Sequence, residues 1–159
     1  MAPRQEAQPG PRSSAQRAFR IAAMPISPDD LAHVPLFAPL KEKERAKLLK
    51  RFLPRAFVAG DEIVSEGNTG TGFYVIASGE VSVVRGGREV ARLGPGSYFG
   101  EIALIDGGPR TATVTAVGDL DVVGLTAWDF RNIVEGDPRI CWALAQELAR
   151  RVREAKLEY

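Results

Sequence analysis

The sequence predicts an α+β domain: an antiparallel β roll, of the double-stranded β-helix or jelly-roll-like kind, flanked by N-terminal helices and by two C-terminal helices. Three observations predict it. Between Pro54 and Leu125, short extended apolar runs alternate with turn residues. Helical spacing of apolar residues is confined to the stretches before and after that region. At 159 residues, 45% hydrophobic and 26% charged, the chain has an ordinary globular balance and is long enough to bury a core.

The N-terminal residues 1–24 carry Pro3, Pro9, Gly10, Pro11 and four arginines against a single acid, Glu6. They read as a disordered basic tail, with one helical segment possible in composition from Ala15 to Ala23. Residues 25–159 form a single domain, whose helices before the roll occupy 25–53. Ser27-Pro28-Asp29-Asp30 starts a helix, with serine as N-cap, proline at the first helical position and acids in the first turn. Pro35 ends it. Lys41 to Leu53 forms a second helix, with Leu48, Leu49, Phe52 and Leu53 as its apolar stripe. Its other side, Lys41, Lys43, Arg45, Lys47, Lys50 and Arg51, reads as a solvated basic face.

The roll occupies 54–127. Its predicted strands are Phe57-Val58, Ile63-Val64, Phe73 to Ala77, Val81 to Val84, Glu89 to Leu93, Thr111 to Val117 and Leu120 to Leu125. Arg85-Gly86-Gly87-Arg88 reads as a two-residue hairpin that sets Val83 opposite Val90. Gly67 to Gly72 holds three glycines in six residues and reads as a flexible loop on which nothing in the Ser97 to Ala116 stretch depends. The C-terminal helices occupy 128–159. Thr126-Ala127-Trp128-Asp129 caps the first, in which Trp128, Phe130 and Ile133 are predicted core. Asp137-Pro138 starts the second, in which Ile140, Leu144, Leu148 and Val152 are spaced to pack on the roll. Cys141, Ala145, Ala149 and Ala155 widen that stripe toward a partner helix or a bound ligand.

Within the roll, Ser97 to Ala116 departs from the strand pattern. Phe99-Gly100 ends an extended segment and Glu101 to Ile105 has the composition of a short helix, whose first amides lack partners and suit an anion. Gly100 permits close approach to the backbone. Asp106-Gly107-Gly108-Pro109 turns the chain so that Arg110 returns to the same place, where its paired donors match phosphate oxygens and the hydroxyl of Thr111 adds another. Glu101 would repel a phosphate, but its carboxylate can accept from a sugar hydroxyl. Together they suggest a ribose phosphate.

Phe99-Gly100-Glu101-Ile102-Ala103-Leu104 and Pro109-Arg110-Thr111-Ala112-Thr113-Val114, separated by four residues, resemble the phosphate-binding cassette of cyclic nucleotide-binding domains. That family includes catabolite activators, kinase regulatory subunits and channels. The resemblance implies a cyclic nucleotide ligand, cAMP or cGMP, with cAMP favoured by frequency. It also implies that Arg110 and the amide of Ala103 hold the phosphate, and that Glu101 and the amide of Gly100 hold the ribose 2′-hydroxyl. Ile102 closes the sugar side, Thr111 lies near phosphate or purine, and Phe99 and Val90 complete the site. The purine contacts would come from the last helix, at Val152, Ala155 or Lys156. Helices on both sides of the roll would move with the ligand.

Other classes fare worse. A net charge of +1 gives no overall push toward nucleic acid, and no apolar run reaches the roughly 18 residues of a membrane helix. One histidine, His33, and one cysteine leave too little for a metal site, and the lone Cys141 fits a reducing, cytoplasmic home. No nucleophile or acid–base pair stands out, so a binding module is expected, not an enzyme. The expected partners are the nucleotide, an unidentified effector protein, and a second copy of the chain through the last helix. A ligand-independent β-roll scaffold, or a regulatory part whose effector lies on another chain, is the alternative.

Overall fold

The computed structural model describes residues 23–70 and 72–155. The basic tail up to Ala22, Thr71, and the last residues from Lys156 lie outside the described residues. Among the described residues two short helices come first, α1 (Pro28–Ala32) and α2 (Glu42–Leu49). The Ser27 hydroxyl accepts from the Asp30 amide, and the Asp30 carboxylate accepts in return from the Ser27 amide, closing a capping box. The predicted second helix ends before Leu53, which instead opens strand β1 (Leu53–Phe57) and is 63% exposed. Proline at the second position of β1 is tolerated because β1 is an edge strand. One member of the basic face is structural: Arg45 donates to the carbonyls of Pro28 and Leu40, tying α2 to α1.

The roll continues with β2 (Glu62–Val64), β3 (Gly72–Ser78), β4 (Val81–Arg85), β5 (Arg88–Leu93) and β6 (Tyr98–Phe99). After helix α3 (Glu101–Asp106) come β7 (Thr113–Ala116) and β8 (Leu120–Thr126). Two four-stranded antiparallel sheets result, ordered β1-β8-β3-β6 and β2-β7-β4-β5. Strand alternation then sorts the core into two clusters. Tyr74, Ile76, Phe99, Leu120 and Val122 face Val81, Val114 and Ala116 between the sheets. Phe73, Val75, Tyr98, Val123 and Leu125 face the helices on the other side of the first sheet. That sheet is therefore buried on both faces, which is why β3 and β8 read as nearly unbroken apolar runs.

The Arg85–Arg88 hairpin forms as predicted, with Gly86 and Gly87 at φ of 57° and 77°, the left-handed pair a two-residue turn needs. Its register differs from expectation. A bulge between Val83 and Val84 sets Val83 opposite Ala91 and leaves Val90 over, 53% exposed, at the rim of the roll.

Helices α4 (Ala127–Gly136) and α5 (Pro138–Glu154) close the described part of the chain, capped by Thr126 and Asp137. Phe130 stacks on Phe73 at 4.9 Å, as a core residue should, but Trp128 is 73% exposed and does not join it. Ile140 and Leu144 are buried with Ala143. Val152 at 48% exposure falls outside the stripe expected to pack on the roll. Ion pairs from Glu44 and Asp137 to Arg139 join α2 to the start of α5.

Candidate functional site

Gly100 is the pivot. Its φ of 98° is open to glycine, and a Cβ there would lie 2.6 Å from the carbonyl oxygen of Gly72 and 2.8 Å from Nη1 of Arg110. Helix α3 leaves this point and ends at Gly107, also left-handed. The Asp106 carboxylate accepts from the Gly108 amide at 2.8 Å and holds the return turn. Arg110 then comes back over Gly100. Its Nη1 donates to the Gly100 carbonyl and its Nη2 to the Gly72 carbonyl, each at 2.7 Å.

The glycine-rich loop is part of this arrangement, contrary to the expectation that nothing in the Ser97 to Ala116 stretch depends on it. The Arg110 amide donates to the Asn68 carbonyl at 2.8 Å, the Gly67 amide donates to the Arg110 carbonyl at 2.9 Å, and Thr69 bridges to Pro109. A Cβ on Gly70 would lie 2.9 Å from Nε of Arg110 and 3.0 Å from Cβ of Ala103. Smallness there makes room for the guanidinium. Chain segments far apart in sequence therefore meet at one side chain.

Arg110 at 6% exposure and Glu101 at 2% are the buried charged residues among those described. Burial holds the Arg110 guanidinium below its ordinary value, opposed by Tyr74 and by the negative charge of Glu101. Two carbonyls satisfy part of a five-donor group, which leaves Nε and one hydrogen on each Nη for a ligand. Glu101 does not pair with Arg110. Its Oε1 instead accepts from Nη1 of Arg151 on α5, whose guanidinium lies 5.2 Å from the centre of the Tyr98 ring. The Tyr98 hydroxyl is buried without a hydrogen-bond partner, and burial pushes it up to about 12.

These groups border a cavity of about 640 Å³ between the roll, α3 and α5, within the roughly 300–1,000 Å³ of small-molecule sites. All eight residues singled out in the sequence line it: Val90, Phe99, Gly100, Glu101, Ile102, Ala103, Arg110 and Thr111. Val90 sits at its rim and Phe99, stacked on Tyr74 at 5.3 Å, at its floor. The last-helix candidates do not fit: Val152 and Ala155 do not line the cavity, and Lys156 lies outside the described residues. That wall is built from Glu147, Arg150, Arg151 and Glu154, with Arg150 donating to Glu147 at 2.8 Å and to Glu154 at 2.7 Å. Their spacing of i, i+3, i+4, i+7 marks one helix face and was the sequence signal available for them. Among the described residues no cluster of histidine, cysteine and acids is placed to hold a metal, and no helix is long and apolar enough to cross a membrane.

The family model for the cyclic nucleotide-binding domain matches residues 54–137. Over 129 residues the chain is 40% identical to the cyclic AMP receptor protein of Thermus thermophilus, covering 78% of this chain and 60% of that protein. It is also 40% identical over 107 residues to the cAMP-dependent protein kinase regulatory subunit of Eremothecium gossypii, covering 67% of this chain and 23% of that one. Among solved structures, the catabolite activator protein of Thermus thermophilus superposes with a TM-score of 0.71 at 39% identity, covering 76% of this chain and 59% of its own. The chain thus spans 60% or less of these curated relatives.

Proposed function

The chain belongs to the cyclic nucleotide-binding domain family, and from that premise we propose that it is a cyclic nucleotide sensor module whose ligand is cAMP. The observation that carries this reading is the burial of Arg110 and Glu101 together on the wall of one nucleotide-sized cavity. A buried guanidinium with free donors is costly unless something of complementary chemistry completes it. A cyclic phosphate takes the remaining donors of Arg110 and the amide of Ala103. The ribose 2′-hydroxyl, near Glu101 and the Gly100 amide, gives its proton to the carboxylate. Ile102 closes the sugar side, with Thr111 beside the phosphate and Val90 at the rim. The names of the relatives support cAMP over cGMP.

Glu101 also carries the signal outward. Its carboxylate is held by Arg151, so a ligand that engages Glu101 acts directly on the contact that fixes the last turns of α5. Differential affinity for two placements of α5 is all that is needed for an effector protein to read the ligand. A second copy of the chain is the partner favoured by the outer face of α5. There Trp142, at 67% exposure, Ala145, Ala149 and Val152 recur at the 3.5-residue spacing of a helix–helix seam. Sedimentation that finds only monomer at high concentration, with and without cAMP, removes that partner.

Calorimetric titration with cAMP and, separately, cGMP tests the main reading, with Arg110→Ala as control. Micromolar or tighter binding that the variant loses supports a sensor; no heat from either nucleotide with a ligand-free, folded sample overturns it. The cyclic phosphate remains a monoanion and Tyr98 stays protonated, so neither group is expected to make the affinity vary between about pH 6 and 8.

A further inference from the structure

Apart from one arginine at the mouth, the arginines and glutamates that line the cavity balance. Glu101, Glu147 and Glu154 stand against Arg110, Arg150 and Arg151, three of each sign. All three acids are already paired with cavity arginines, Glu101 with Arg151 and the other two with Arg150. The remaining cation on the wall is Arg85, at the end of β4 where the hairpin begins. Its Nε donates to the carbonyl oxygen of Thr111 at 3.2 Å, which places the side chain beside the residue that follows Arg110. Both of its terminal nitrogens have no acceptor among the described residues, and the side chain is exposed to solvent at the cavity mouth.

We propose that Arg85 is a second cation of the phosphate subsite, held at the mouth by the Thr111 carbonyl and directing its free guanidinium donors to the ligand phosphate opposite Arg110. The inference rests on the cyclic nucleotide reading and deepens it. The two arginines divide the work. Arg110 is enclosed and fixed by carbonyls from two segments, so it sets where the phosphate sits. Arg85 is solvated and anchored at one nitrogen, so it supplies the surplus positive charge that draws a monoanion in, an effect that salt weakens. The fold supplies a control. Arg88, paired with Arg85 across the same two-residue turn, carries the same charge but does not line the cavity.

The test is calorimetric titration of cAMP into the wild type, Arg85→Gln, Arg85→Lys and Arg88→Gln, at about 50 and about 300 mM salt. The expected result is about fivefold weaker binding for Arg85→Gln at the lower salt, a deficit that shrinks at the higher salt. Arg85→Lys keeps most of the affinity and Arg88→Gln matches the wild type. Wild-type affinity in Arg85→Gln overturns the proposal while leaving the sensor reading intact. So does equal loss in Arg85→Lys and Arg85→Gln without salt dependence, which assigns Arg85 to holding the Thr111 backbone alone, and so does equal loss in Arg88→Gln, which assigns the effect to general charge. A wild type silent toward both cAMP and cGMP overturns the sensor reading and this proposal with it.

Discussion

The two walls of the cavity are built on opposite principles. The roll wall is fixed by backbone: glycine carbonyls at 72 and 100 receive Arg110, and the Asn68 carbonyl and Gly67 amide bracket the same residue. The α5 wall is fixed by long charged side chains, with Arg150 and Arg151 reaching Glu147, Glu154 and Glu101. Carbonyls held by neighbouring backbone move little, whereas the solvent-facing ion pairs of Arg150 exchange partners at small cost. The contrast teaches where rigidity resides, and under the proposed function it assigns the roll wall to holding the ligand and the α5 wall to reporting it.

The contrast breaks most severely at Arg110. Arg110→Ala is expected to weaken cAMP binding by about 100-fold or more, read by calorimetry, because it removes a buried charged partner of the phosphate. Gly70→Val attacks the same wall from behind: its side chain meets Nε of Arg110 and Cβ of Ala103. About tenfold weaker binding, with circular dichroism unchanged, is the expected outcome. Arg151→Ala sharpens the contrast from the other side. It should speed amide hydrogen exchange in the last two turns of α5 and lower stability by about 1–2 kcal/mol in denaturant, while protection of β3 and β8 is kept.

The smallest effect is expected at Tyr98, whose buried hydroxyl has no partner. Tyr98→Phe should raise stability by about 1 kcal/mol in urea unfolding. The folded-state pKa of Tyr98 is raised, to about 12, from an ordinary value near 10, so its contribution is complete below about pH 10 and lost as pH rises toward 12. Melting temperatures followed across that window should fall less in the phenylalanine variant.

The cassette was legible because its chemistry needs residue types that have few other uses together: Gly100, Glu101, the Gly107-Gly108-Pro109 return and Arg110. The roll was legible from strand runs, and most strand bounds agree within a residue or two. What was missed has separate physical causes. Glu147, Arg150, Arg151 and Glu154 look like any solvated helix face until the helix is laid over a cavity. A hydrophobic stripe extended to Val152 assumes that the roll continues under the whole helix, and beyond Leu148 it gives way to the cavity mouth instead. The bulge at Val84 was equally invisible, since nothing in Arg88-Glu89-Val90-Ala91 marks an extra residue. The Gly67–Gly72 loop was taken for slack because glycine signals freedom as readily as tight quarters.

The clasp of Arg110 by the carbonyl of Gly72, 38 residues earlier in the chain, has a kinetic corollary. A contact of that separation forms only after the intervening loop has closed, and late closure is the usual fate of such non-local pairings in β proteins. In a refolding experiment monitored by ligand capture, competence to bind should therefore emerge with the slowest protein phase, after most of the helical signal has returned.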